Sequence, residues 1–423
     1  MVARELSHSG NWLQLTFIHA PLFDKPPLGM WATAFFYKIF GVGEFSTRLF
    51  SALCGAGIVT ITYFFGRRLF NRWIAFCGAL VLLSSSHFLR VARFGVLDAP
   101  FLFFMMLSLY LFWLGRTNNR CLIFSGIALG LAVMTKSFTG ILIFPIVWIY
   151  AWGSGRLEIL RRPSYWMGLL AAALIVLPWN LYELFADHNS FLRDAIVKQL
   201  IGRSAGVLDG HSGNYYFYIK TLVNKYHPWI LVGIFSAPLF LWKAFKDREE
   251  EIIFIAVWIF SVFGIVTMAR TKLAWYIFPV YPALSLSVAY FFTKVFNEEK
   301  AIYAKILFLL TLAFHAGYSH IFRADYSRPL KHLAPLVQKT VPEGGLVYLY
   351  RYHEQPAGVF YLDRNVRYLE SPAELENQAG ANSGFYCLVR AEDIKELQPL
   401  FSKLGMVNAG ASDGVAFLLI PPK

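Results

Sequence analysis

Apolar runs long enough to cross a lipid core recur along most of this chain, separated by short polar segments rich in arginine and lysine. A membrane helix needs about 20 mainly apolar residues to span a core of ~30 Å. Runs of this kind cover Phe45–Gly66, Trp73–Val91, Ala99–Gly115, Leu122–Thr135, Phe138–Trp152, Trp166–Phe185, His227–Trp242, Ile252–Ala269, Ala274–Phe292 and Ile302–Ile321. The pattern predicts an α-helical polytopic membrane protein with about ten transmembrane helices. The short runs on either side of Lys136 read as a tight hairpin, because a single span with a buried lysine would cost about 2.5 kcal/mol or more.

From Asp325 onward the texture changes. Strand-like runs, "GLVYLYRY", "NVRYL", "GFYCLVR" and "GVAFLLI", alternate with the helix-like "SPAELENQ" and "AEDIKELQPLFSKLG". The start Ser371-Pro372-Ala373-Glu374 has the chemistry of a helix cap. The expected layout is an external loop with interfacial helices over 1–43, a helical membrane domain over 44–323, and a small external α/β domain over 324–423. No internal repeat and no P-loop or dinucleotide-type glycine fingerprint interrupts it.

Composition agrees with the pattern. Hydrophobic residues make up 57% of the 423, and charged residues only 15%, against roughly a quarter in soluble domains. The formal net charge of +13 does not point to nucleic acid, because the cations sit in short clusters between apolar runs, as in membrane loops. Cys54, Cys77 and Cys121 lie in apolar runs and Cys387 in the polar tail, so no disulfide framework is implied.

Charge asymmetry sets an orientation. Alternate loops carry Arg67, Arg68 and Arg72; Arg116 and Arg120; Arg156, Arg161 and Arg162; Lys243, Lys246 and Arg248; and Lys294, Lys300 and Lys305. These mark the cytoplasmic face. The amino-terminal stretch, the loop holding Arg93 and Asp98, the Lys136 turn, residues 186–226, the Arg270–Lys272 turn and the tail after Phe322 then face outward, so any chemistry is expected on that side. The stretch before Glu44 has neither a spanning run nor a signal-peptide pattern. Its outward placement leads to the expectation of a further helix upstream of Met1.

Several motifs in this order, "ARELSHSGNWL", "FDKPPLGMW", "FGVGEFSTRLFSAL", "VLDAPFLFF", "GLAVMTKSFTG" and "TKLAWYIFPVYPALSL", resemble the polyprenyl-phosphate-sugar-dependent glycosyltransferases of the GT-C fold. The resemblance is to the bacterial aminoarabinose transferases that modify lipid A and to the protein O-mannosyltransferases, and it covers nearly the whole chain. It implies transfer of a sugar from a polyprenyl-phosphate carrier to a lipid, glycan or protein acceptor at the outer face, by in-line displacement with inversion. In that family a first external loop with an acidic pair supplies the proposed catalytic aspartate; it follows the first membrane helix, and this chain shows neither.

The residues carry roles consistent with that chemistry. In Asp24-Lys25-Pro26-Pro27 the prolines forbid a helix and hold the charged pair on a surface loop; Lys25 then offers a point charge to the carrier phosphate, the alternative being a lysine that snorkels. Asp98 opens a membrane helix before Ala99-Pro100, either as an N-cap or as the carboxylate that orients or deprotonates the acceptor, two roles that are compatible. Arg93, Lys136, Arg270 and Lys272 are further cations for the phosphate side; interfacial anchoring is the alternative. In "DGHSGNYYFYIK", Tyr215 and Tyr216 wall a cleft or join an interfacial belt. The resemblance also implies a divalent metal held by an acid beside the lysine and a histidine in the long loop, which map onto Asp24 and His211. Two other readings stay open: a transporter or channel for an anion or lipid, though repeated halves and broken midplane helices are not evident in the sequence, and a truncated, inactive homologue that only binds lipid carriers. The sugar, the acceptor, the carrier length and the oligomeric state are not legible.

Overall fold

The computed structural model describes residues 1–17, 20–23, 25–194, 213–295, 328–352, 356–381 and 384–420, with isolated residues at 197, 202, 206, 306, 309, 310 and 313. The chain divides into two compact units, Val2–Ser319 and His320–Lys423.

The first unit is helical. It begins with α1 (Val2–Ser9), a two-residue antiparallel ladder of β1 (Thr16–Phe17) and β2 (Ala20–Pro21), and α2 (Leu28–Phe40). There follow α3 (Glu44–Leu69), α4 (Arg72–Leu83), α5 (Ser86–Arg93), α6 (Asp98–Leu114) and α7 (Asn119–Lys136). A 3₁₀ turn over Ser137–Leu142 leads to α8 (Ile143–Gly153), α9 (Glu158–Arg161), α10 (Pro163–Ala186) and α11 (His188–Phe191). Next come α12 (Phe217–Lys225), α13 (Ile230–Lys246) and α14 (Glu250–Met268), then a 3₁₀ stretch over Ala274–Val280 that runs into α15 (Tyr281–Val295).

The expectation of about ten spans does not hold. Among the described residues four helices are long and apolar enough to cross a membrane: Glu44–Leu69, Pro163–Ala186, Glu250–Met268 and Ala274–Thr293. A fifth is obtained only if α4 and α5, which meet at 68°, count as one broken span. This is an α-helical membrane protein with four to five long apolar helices. The run Trp73–Val91 breaks at Ser84-Ser85, where Ser84 Oγ bonds back to the Leu80 carbonyl at 2.7 Å. Ala99–Gly115 yields 17 helical residues in α6, and Phe138–Trp152 is divided between the 3₁₀ turn and the 11 residues of α8. Most of Ile302–Ile321 lies outside the described residues. The physical reason is that apolar composition reports a dry surrounding, whether lipid or protein; short apolar helices serve as core. Met105, Met106 and Leu109 of α6, for instance, are fully buried by neighbouring helices.

Small residues let these helices approach. A Cβ at Gly126 of α7 would run into the Gly168 carbonyl of α10, and one at Gly130 would stand 3.1 Å from Ala172 Cα. This four-residue spacing of small side chains is a common way for helices to pack in lipid, where dispersion rather than the hydrophobic effect drives contact. Phe65, Trp113, Phe254 and Trp258 form a ring cluster at the centre, with centroids 5.3–6.3 Å apart. Buried polar groups pair across helices, as lipid demands: His87 with Tyr281 at 2.6 Å, Tyr226 with Ser285 at 2.8 Å, and Trp229 Nε1 donating to Ser84 Oγ at 2.7 Å.

A network fixes one end of the unit. Glu250, at the start of α14, accepts from Arg116 at 3.0 Å and Arg156 at 2.7 Å, and Tyr150 donates to it at 3.3 Å. The close of α6, the exit of α8 and the start of α14 therefore share that end. The start of α6, the close of α7 and the close of α14 lie at the other.

The second unit carries α16 (Arg328–Thr340), β3 (Leu346–Tyr350), α17 (Pro356–Leu362), β4 (Asn365–Leu369), α18 (Pro372–Ala381), β5 (Phe385–Arg390), α19 (Ala391–Leu404), β6 (Val407–Ser412) and β7 (Val415–Ile420). The sheet order is β4-β3-β5-β7-β6, parallel through the first three strands and antiparallel after them. Alternation along the strands feeds two cores: Val347, Leu349 and Leu388 pack with Leu333 and Val337 of α16, while Tyr348, Tyr350 and Cys387 pack with Leu375 of α18 and Leu397 of α19. Ser371 Oγ accepts from the Glu374 N–H at 3.3 Å, capping α18. β6, α16 and α17 had no counterpart in the sequence reading; in β6, "VNAGAS" lacks the usual bulk of a strand.

Candidate active site

The end of the helical unit opposite Glu250 collects charge. Asp98 is the first residue of α6; the N-cap is Leu97 and no side chain caps the helix. The Asp98 carboxylate is instead turned to Lys136, the last residue of α7, whose ammonium donates to Oδ1 at 2.5 Å. Both side chains are largely buried, 14% and 18% exposed. After Lys136 the chain reverses at Ser137, whose φ of +49° lies in the left-handed region, which few non-glycine residues adopt.

Aromatic rings extend the group. The Lys136 ammonium lies 5.5 Å from the Tyr276 ring centroid, and that of Lys272 lies 5.5 Å from the Tyr218 ring, within the range of cation–π attraction. Lys272 is 5% exposed. Its ammonium donates to the Val266 carbonyl at 3.2 Å and to that of Thr267, so it ties off the last turn of α14, where a cation is favoured by the helix dipole. Burial holds it below the usual lysine range. Gly206 and Gly213 abut this turn: a Cβ at Gly213 would stand 2.8 Å from Lys272 Cγ, and Thr271 Oγ1 donates to the Gly206 carbonyl at 3.0 Å.

Lys25 sits on the loop leading into α2 and is half-buried, between buried Phe23 and Pro26. Pro27 takes the N-cap position with φ −83°, as the ring's fixed torsion suits. Two contacts place this loop. A Cβ at Gly29, in the first turn of α2, would run into Leu97 Cδ2, so the helix abuts the residue before Asp98. Phe23 packs with Phe191, and Leu184 of α10 adjoins them. Trp179 Nε1 also donates to the Leu13 carbonyl at 3.0 Å, tying the amino-terminal segment to the same end of α10.

The structure therefore brings together Asp98, Lys136 and the Tyr276 ring, with the Lys25 loop against the mouth of α6; Lys272, four residues before Tyr276, lies instead against the Tyr218 ring. Arg93, at the end of α5, and Arg270 are exposed, and Tyr215 and Tyr216 are 77% and 71% exposed, in contrast to the largely buried Asp98 and Lys136. Asp24 and His211 lie outside the described residues. Among the described residues no three His, Cys, Asp or Glu side chains gather around a metal-sized space. Sequence reasoning named Tyr218 within the aromatic cluster of "DGHSGNYYFYIK" and missed Tyr276, Gly29 and Glu183. Glu183 is fully buried near the end of α10, with neither carboxylate oxygen hydrogen-bonded; its signal was an acid inside the apolar run Trp166–Phe185, which in a membrane is uncommon without a function.

Comparison with known proteins decides the fold. Residues 24–182 match the family described as Dolichyl-phosphate-mannose-protein mannosyltransferase. The crystal structure of ArnT from Cupriavidus metallidurans bound to undecaprenyl phosphate superposes with a TM-score of 0.77 at 19% identity, covering 99% of this chain and 92% of that one. The chain carries the GT-C fold of the polyprenyl-phosphate sugar transferases. An oligosaccharyltransferase from Archaeoglobus fulgidus matches this fold more distantly, with a TM-score of 0.58 at 12% identity, covering 93% of this chain and 64% of that one. By sequence, an undecaprenyl phosphate-alpha-4-amino-4-deoxy-L-arabinose arabinosyl transferase from Pseudomonas fluorescens is 30% identical over 294 residues, 67% of this chain and 52% of that protein. An uncharacterised protein from Aquifex aeolicus is 29% identical over 339 residues, 79% of this chain and 66% of that protein. The chain thus spans about half the length of the arabinosyl transferase it matches. Within this GT-C unit, the matched segment 24–182 contains Lys25, Asp98 and Lys136 together.

Proposed function

We propose that the protein is a membrane glycosyltransferase that moves a sugar from a polyprenyl-phosphate carrier to an acceptor hydroxyl at the periplasmic or outer face of the inner membrane. The observation that carries this reading is the Asp98–Lys136 pair, largely buried at one end of the helical unit beside the Lys25 loop. An acidic group and a cation cluster are what the reaction needs on its two sides. The acceptor oxygen attacks the anomeric carbon, the bond from that carbon to the phosphate oxygen breaks, and the phosphate leaves with the electron pair. Lys25 faces the charge that grows on the phosphate, where a fixed cation stabilises the transition state more than the ground state. Exposed Arg93 and Arg270 add positive potential at the same end.

Asp98 accepts the hydrogen bond of the attacking hydroxyl and receives its proton as the new bond forms. Lys136 holds that carboxylate in place, and so is a positioning residue; because Asp98 neutralises it, it is not the phosphate's cation. Lys272 acts one step further out, fixing the turn that carries Arg270 and resting against the Tyr218 ring of α12. A divalent metal at Asp24 and His211 would add charge on the phosphate side, and no step here is assigned to it. The relatives' donor, an undecaprenyl-phosphate-linked aminoarabinose in their names, makes a polyprenyl-phosphate-linked pentose or amino sugar the first donor to try.

The test is binding of undecaprenyl phosphate to the purified protein, followed by native mass spectrometry. Lys25→Ala is expected to weaken it by roughly tenfold, as removal of a charge-assisted phosphate contact does, with no change for uncharged lipids. Equal binding by the parent and Lys25→Ala would refute the phosphate assignment.

A further inference from the structure

A second cationic patch lies on the same helical unit, among residues that the reaction above does not use. Ser86 Oγ donates to the Lys225 carbonyl at 3.2 Å, joining the first turn of α5 to the last turn of α12. Arg90 follows Ser86 by one helical turn and so stands on the same face of α5. Phe94 follows by another turn, and the Arg90 guanidinium lies 5.7 Å from its ring. Phe94 and Val96 are 42% and 39% exposed. The result is a stripe that runs from a half-buried lysine through an exposed arginine to exposed apolar side chains.

Among the described residues neither Arg90 nor Lys225 has a carboxylate partner, unlike Arg116, Lys136, Arg156 or Lys243. The groups near Lys225 are Arg90 and, in the core beneath, His87, which is bonded to Tyr281 at 2.6 Å. Burial together with Arg90 pushes the Lys225 ammonium below the usual lysine range. Two cations on helix ends joined by the Ser86–Lys225 bond, with no carboxylate partner among the described residues, raise the energy of the empty protein; an anion from outside would relieve it. At the membrane surface, with apolar side chains adjoining, that anion is a lipid headgroup.

We propose that Arg90 and Lys225 form a second phosphate site that holds the headgroup of a membrane lipid, with its chain lying along Phe94 and Val96. The site shares no residue with the Lys25, Asp98 and Lys136 group and does not depend on that group's being catalytic. Two lipids carry the chemistry, a polyprenyl phosphate monoester and an anionic phospholipid diester.

The experiment uses the purified protein in detergent with added undecaprenyl phosphate, phosphatidylglycerol or phosphatidylcholine, and reads both the lipid retained in native mass spectrometry and the melting temperature. For the double variant Arg90→Gln/Lys225→Gln, retention of the lipid that occupies the site is expected to fall roughly tenfold, with phosphatidylcholine unaffected. A fall confined to undecaprenyl phosphate assigns the site to the carrier, and a fall confined to phosphatidylglycerol assigns it to the surrounding bilayer. Without lipid, the double variant should melt no lower than the parent, because the charges repel. Unchanged retention of both anionic lipids, or a lower melting temperature in lipid-free detergent, would overturn the proposal.

Discussion

Removing the Lys136 ammonium leaves the Asp98 carboxylate 14% exposed and without its partner at 2.5 Å. Breaking a buried ion pair from one side costs about 3–5 kcal/mol. Some water reaches both groups here, so Lys136→Met is expected to destabilise the folded protein by about 2–3 kcal/mol. Asp98→Asn should cost less, because the amide still accepts one hydrogen bond from Lys136 and only the charge term is lost. The double variant Asp98→Asn/Lys136→Met removes both charges and should recover part of the loss, giving a coupling energy of about 1–3 kcal/mol. Equilibrium unfolding of the four proteins in mixed micelles reads this cycle. Additive losses, or a Lys136→Met loss within about 0.5 kcal/mol of zero, would refute the claim that the pair is a single buried unit holding the carboxylate in place.

Other expectations follow from the packing around it. Gly29→Ala drives a methyl into Leu97 Cδ2; since that atom ends a flexible side chain, folding should suffer by only about 1 kcal/mol. Sugar transfer should fall roughly tenfold, because the Lys25 loop and Asp98 are displaced relative to one another, which a paired melt and activity assay will show. Glu250→Gln removes the carboxylate shared by Arg116 and Arg156 at the far end. Half-exposed Arg156 makes its part of that loss small, so a destabilisation of about 1–2 kcal/mol is expected, with undecaprenyl phosphate binding unchanged. Gly126→Leu forces a side chain into the Gly168 carbonyl and should abolish recovery of folded protein in size-exclusion profiles.

How much of this was legible in the sequence depended on the range of each interaction. Asp98 and Lys136 stood out as charges at the ends of apolar runs, a local signal. Their pairing was not visible, because 38 residues separate them and it depends on how α6 and α7 pack. The contact between Gly29 and Leu97 was hidden for the same reason. Arg270 and Lys272 looked equivalent in "ARTKLAWYIFP", yet one side chain is exposed and the other is turned inward to cap α14. The span count erred where composition was read as topology: Ser84-Ser85 bends an apolar run by 68°, and α6 is apolar because neighbouring helices bury it. In the second unit, strands such as Leu346–Tyr350 declared themselves through bulky alternation, while Val407–Ser412, small and polar, joins the sheet through its ladder with β7.

The most direct test of the central claim is release of undecaprenyl phosphate from an undecaprenyl-phosphate-linked sugar by the purified protein, measured in a single turnover with an acceptor lipid present. The account predicts release coupled to glycosylation of the acceptor, and a loss of about 10²-fold or more in Asp98→Asn with donor binding intact. Turnover by Asp98→Asn at the parental rate, or sugar transfer that leaves undecaprenyl phosphate unreleased, would contradict it.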